Sequence, residues 1–246
     1  MEVHHHSHTS RKKWTHYFWE FLMLFLAVFC GFLAENQREH MVEHRRAKQY
    51  ASSLYRELQS DTAKLHHLIL WTQHVANRLD TLCELSRKQP RIKNGKLYYY
   101  SRTVAWVDYF TSSTSTLSQL KNSGSLRILS PGIAQKISNY DRLLVYSANT
   151  DNFQRIEYET INSLRLKIFD GRILAEMDNP TDSVFNLDPP LLNNDPKLIG
   201  EFFGWVKTNA GYLRTAVREI MEPMKESAEE LLLLLKNEYH LSEGTP

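Results

Sequence analysis

The residues best suited to chemistry are histidines and one glutamate. His40-Met41-Val42-Glu43-His44 has the spacing H-x-x-E-H. On a helix, His40 and His44 share a face one turn apart, so both imidazoles could reach one zinc ion while Glu43 activates a bound water. With eleven histidines in the chain, such a spacing also arises by chance. A second group, His4, His5, His6 and His8, is dense enough to take up zinc, nickel or copper, and reads equally as a solvated tail. Any divalent metal there is expected to be adventitious or structural, and no other cofactor is expected. Glu20 is the third oddity. It lies inside an apolar stretch, with His16 four residues earlier and therefore on the same helical face. Its carboxylate can lean back to the near interface, hydrogen-bond a neighbouring helix, or line a proton or ion path. There is no phosphate-binding glycine loop, dinucleotide fingerprint or nucleophile elbow, so the chain is not expected to be an enzyme.

The elements that carry these residues begin with an apolar run. Trp14–Ala34 would span roughly 31 Å as a helix, close to the hydrocarbon thickness of a bilayer. Trp14, Tyr17 and Trp19 crowd one end, as an aromatic belt does, and charges resume at Glu35. A cleaved signal would want a small residue where Phe32 stands, and Phe29 before Cys30 argues against lipoprotein processing. A retained transmembrane helix over 14–34 is therefore expected, after a His-rich basic tail over 1–13. Lysines and arginines are nearly even on the two sides. The short basic N-terminus favours a cytoplasmic start, with the bulk of the chain periplasmic.

Residues 35–246 form the remaining domain. From Glu35 to about Lys88 there is no glycine or proline, so one helix can run straight on. Along it, Ala47, Ala51, Leu54, Leu58, Asp61, Leu65, Leu68, Thr72, Val75, Leu79 and Leu82 recur in steps of four and three, continuing back through His44 to His40. Such a stripe suits either a helix in a bundle or a self-associating coiled coil. In a coil, subunits would bring His40 and His44 together. Asn94-Gly95 suggests a tight turn, a second helix is expected over Thr103–Asn122 with Gly124 past its end, and Ser130-Pro131 reads as a cap with proline at the first helical position. An interrupted stripe follows through Ile133, Ile137, Tyr140, Leu144, Ile156, Leu164 and Ile168, up to Gly171. Residues 178–196, with four prolines, read as a loop. A last helix is expected from Asp195-Pro196 to about His240, kinked at Pro223. The fold class is all-α: one N-terminal transmembrane helix continuing into a bundle of about four long helices. Proteases with the H-x-x-E-H pattern set that helix in a larger α/β domain with a later glutamate ligand, and no comparable strand pattern is present.

Arg11-Lys12-Lys13-Trp14, Tyr17-Phe18-Trp19-Glu20-Phe21 and Gly31-Phe32-Leu33-Ala34-Glu35 resemble a family of small single-pass inner-membrane proteins common in Bacteroidota. Members share a short basic N-terminus, an aromatic start, a glutamate early in the span and a long helix after it. Gln119-Leu120-Lys121-Asn122-Ser123-Gly124-Ser125-Leu126-Arg127 resembles an interhelical turn of that family. The resemblance covers about the first 60 residues and this turn. It implies a Gram-negative inner membrane and brings no established activity.

Formal net charge is +2, and Arg11, Lys12 and Lys13 against Glu2 account for that excess, so no basic face for nucleic acid is expected. The two cysteines, one inside the apolar run, do not suggest a disulfide. The expected partners are the lipid bilayer, further copies of the chain and an envelope protein. The expected function is that of a membrane-anchored, self-associating interaction or scaffold protein of the Gram-negative envelope. A sensor or ion-coupled component using Glu20 and the histidines is the alternative, and a zinc enzyme using His40, Glu43 and His44 a more remote one.

Overall fold

A computed structural model describes residues 14–113, 115–176 and 186–241; His4, His5, His6 and His8 lie outside them. The chain divides into two compact units, Met1–Gln49 and Tyr50–Pro246. All regular structure among the described residues is helical. The first helix, α1, is Trp14–Ser86. It joins the expected span to the expected post-membrane helix without interruption, because nothing between Trp14 and Ser86 except Gly31 lowers helix propensity strongly.

In the first unit, residues 14–40 are almost wholly exposed. This is the one helix among the described residues long and apolar enough to cross a membrane, and its most apolar stretch is not buried at all. A core helix of a soluble protein would be covered.

The second unit takes α1 from Tyr50 onward. It adds α2 (Asn94–Ser101), a 3-10 turn (Arg102–Ala105), α3 (Ser115–Asn122), a 3-10 turn (Ser125–Ile128), α4 (Pro131–Ile168), α5 (Gly171–Glu176), α6 (Pro196–Ala216), a π turn (Val217–Met221) and α7 (Glu222–Tyr239). Three long rods therefore dominate: α1, α4, and α6 with α7. The short helices cross between them. From Ala51 to Leu82, every residue of the heptad-like stripe is buried. The stripe is the face that α1 turns to the rest of this unit, which is the bundle reading of that pattern.

Several expectations give way. The predicted second helix over Thr103–Asn122 forms only at its ends. Between them, residues 107–113 are non-helical. The run of serines and threonines there competes for backbone hydrogen bonds, and α1 supplies acceptors. Asp61 accepts from the Ser112 hydroxyl and, at 2.8 Å, from the Ser113 amide. Glu57 accepts from the Ser115 hydroxyl and the Thr116 amide, capping α3 from a distance. Asn94-Gly95 opens a helix instead of making a tight turn. Its first amides are satisfied by the 186–190 loop: Asn94 donates to Asp188 Oδ1 at 2.7 Å and Gly95 to the Leu187 carbonyl at 3.2 Å. Ser130 caps α4 as expected, Pro131 follows it, and Gly124 takes the left-handed conformation with φ of 65°. Ile156 is exposed, whereas Ser147, Gln154 and Ile161 are buried. The stripe of α4 keeps its rhythm and changes its chemistry, becoming polar in the middle.

The disturbance expected at Pro223 appears upstream, as the π turn. Proline has no amide to donate to residue 219, and its ring crowds that carbonyl. The turn widens ahead of it, so that Glu222 donates to the Val217 carbonyl. Asp195 caps α6 by accepting from Lys197 at 3.0 Å.

Apolar clusters within this unit include two that are set apart along α1 and α4. One gathers Val75, Leu79, Leu82, Leu97, Tyr98, Ile161, Ile168, Phe169, Phe202 and Val206. The other holds Leu65, Ala216, Ile220 and Met224. Along α1 and α4, polar residues fall between the two.

Candidate functional site

On the exposed start of α1, His16 Nδ1 lies 3.3 Å from Glu20 Oε1, as their spacing of four dictates. Phe21, Phe25 and Phe29 form a stacked ladder along another face, with ring centroids 6.3 and 5.8 Å apart. The face of Glu20 continues in steps of four and three through Leu24, Ala27, Gly31 and Ala34, so it narrows to small residues. A Cβ built on Gly31 would meet nothing within 4 Å. His40 and His44 lie farther along α1, both exposed and one turn apart. Among the described residues, no group of three or more His, Cys, Asp or Glu comes together to hold a metal.

The second unit holds a polar interior that the sequence reading did not single out. Asp61 is 1% exposed and is a tether between elements. Besides the 112–113 segment, it accepts from the Tyr140 hydroxyl at 3.0 Å. Burial and the neighbouring Asp61 carboxylate push the Tyr140 phenol far above its usual range. Between the two apolar clusters, Thr72 of α1 and Ser147, Asp151, Gln154 and Tyr158 of α4 line a void of about 20 Å³ beside the π-turn residue Met221. That is room for a single water. Burial raises the Asp151 carboxyl to about 6, against the opposing pull of Arg155 one turn away. Burial also pushes the Tyr158 phenol up to about 12. Asn209, itself buried, faces that hydroxyl. The buried hydroxyl of Tyr212 has no hydrogen-bond partner among the described residues. The signal was present in the sequence. Continuing the four–three rhythm of α4 from Tyr140 lands on Leu144, Ser147, Asp151, Gln154 and Tyr158, whereas Ile156 departs from it.

A third arrangement surrounds Arg78 on α1. Its guanidinium carbon sits 4.9 Å from the ring centres of both Tyr99 and Tyr100 and 4.7 Å from that of Trp106, while Nε donates to Thr103 Oγ1 at 2.8 Å. Trp71 stacks on Trp106 at 5.4 Å. The chain thus fills its own aromatic cage, fixing α1 to the α2 segment through cation–π contacts.

None of these arrangements pairs a nucleophile with a base, and the strongest of them are tethers. The chain matches no family model, no curated protein and no solved structure.

Proposed function

We propose that this protein is a membrane-anchored interaction protein, whose N-terminal span holds a helical bundle at the bacterial inner membrane and pairs with further copies of itself. The observation that carries the reading is the uncovered apolar stretch from Trp14 to Ala34 at the head of α1. The basic tail before it favours a periplasmic bundle, and the resemblance to single-pass proteins of Bacteroidota implies an inner membrane. The seam from Ala51 to Leu82 is buried within its own unit, so a coiled coil built on that seam is not the route to pairing. The span supplies a better one. Glu20, Ala27, Gly31 and Ala34 lie along one face, and small residues let two helices approach closely while a carboxyl group bridges them.

The test is the mass of the detergent-solubilised particle. Wild type is expected to be oligomeric, Glu20→Gln to preserve the oligomer, and both Glu20→Leu and Gly31→Leu to shift it toward monomer. A monomeric wild type would remove the pairing role.

A second reading, an ion-coupled or sensing component, draws on the 3.3 Å contact between His16 and Glu20 within the apolar run. It requires a pH-dependent conductance in liposomes that is lost in Glu20→Leu.

A further inference from the structure

Arg165 projects from the last turn of α4 and is 9% exposed. A guanidinium buried to that extent is ordinarily matched by a carboxylate, because an uncompensated charge is costly to remove from water. Among the described residues the match is missing. One of its nitrogens, Nη1, donates to the backbone carbonyls of Ser101 and Arg102, at 3.3 and 3.5 Å. Its Nε is buried with no hydrogen-bond partner. No carboxylate among the described residues forms an ion pair with it, and among them the charge that acts on it is the like charge of Arg102. Both arginines line one cavity of about 290 Å³, which Trp106, Leu166 and Leu174 also line. Burial and the neighbouring Arg102 hold the Arg165 guanidinium below its usual range, the direction expected where a counter-charge is lacking.

We propose that this cavity is a binding site for a small oxyanion, a carboxylate or a phosphate group, held by the Arg165 guanidinium. With Nη1 engaged by the two carbonyls and Nε buried, Nη2 is the nitrogen left to donate to an oxygen of such a group, and Trp106 and the leucines can cover a short apolar body attached to it. The site lies wholly within the second unit and is independent of the membrane reading.

The experiment uses the full chain in mild detergent. Thermal unfolding is followed in sodium phosphate, sodium acetate and sodium chloride at equal ionic strength. Near saturation, the preferred oxyanion is expected to raise the melting temperature by roughly 3 °C over chloride. A response to phosphate alone assigns a phosphate ligand, and a response to acetate alone assigns a carboxylate. Arg165→Met should abolish the response. Ala175 lines the same cavity on an exposed position. Ala175→Glu should therefore fold, place a carboxylate beside the arginines, and also abolish the response. The two variants cover each other should Arg165→Met not fold. Equal melting temperatures in all three salts would overturn the proposal, as would a full oxyanion response in folded Ala175→Glu.

Discussion

Asp151 sits where a leucine would be expected, on the inward stripe of α4 beside a void large enough for one water. Its carboxyl is raised to about 6 because burial disfavours the charged form more than Arg155 favours it. The unfolded chain would release that proton near the ordinary aspartate value of about 3.9. Between those two values the folded chain holds more protons, so stability from this group is full below about pH 4 and declines as pH rises through 6. Asp151→Asn removes the ionisation. Thermal unfolding at pH 7.5 should show it to be more stable than wild type by about 1 kcal/mol, after allowance for the partial exposure of the site. At pH 4 the two should agree. A difference of equal size at both pH values would mean that the amide changes packing and not charge.

At the scale of elements, Asp61 decides how the segment between the two arms of the expected second helix is held. It ties α1 to Ser112, Ser113 and Tyr140, with Lys64 Nζ 3.8 Å away. Asp61→Ala would leave the Tyr140 hydroxyl and the Ser113 amide without their acceptor. Chemical denaturation should report a loss of about 3 kcal/mol, whereas Glu57→Ala, at the more exposed cap of α3, should cost about 1 kcal/mol. Equal losses would show that the tether has no special weight. The same tether explains what could be read from sequence. Helix α1, the Ser130-Pro131 cap and the start of α6 at Pro196 were legible, because local propensity and periodicity decide them. The break after Ala105 and the helical start at Asn94 were not. Both depend on acceptors far along the chain: Asp61 and Glu57 for one, Leu187 and Asp188 for the other. The polar middle of α4 was legible in principle from its rhythm. It was missed because Ile156 looks more like core than Gln154 or Tyr158 does. His40 and His44 stand exposed and one turn apart on α1, as their spacing of four dictates.

For the whole molecule, the contrast is between a first unit whose apolar side chains are uncovered and a second unit with its own core. In the proposed arrangement, washing membranes with carbonate at high pH should leave the full-length chain in the pellet. Protease added to intact spheroplasts should digest the bundle. Protection until lysis would put the bundle in the cytoplasm, and release by carbonate would rule out a retained span. Removal of the span by truncation before Tyr50 should leave a soluble fragment that unfolds cooperatively, because the apolar clusters around Phe202 and Met224 lie wholly within residues 50–246.

The π turn bears on how this sequence tolerates insertions and deletions. The inward positions of the last rod are Phe202, Val206, Asn209, Leu213 and Ala216, then Ile220, Met224, Ala228, Leu231 and Leu235. Steps of four and three rule the first group, but Ala216 to Ala228 advances by three fours in succession. That is the signature of one additional residue, absorbed where the turn widens. Deleting one residue within Val217–Met221 would let the rod close into an unbroken α-helix. The four–three rhythm would then run on unbroken, and Met224, Ala228, Leu231 and Leu235 would keep facing the interior. A rod that closed the turn while keeping all its residues would instead rotate them away together by about 100°, so the reading frame of α7 against its neighbours is set by a single position.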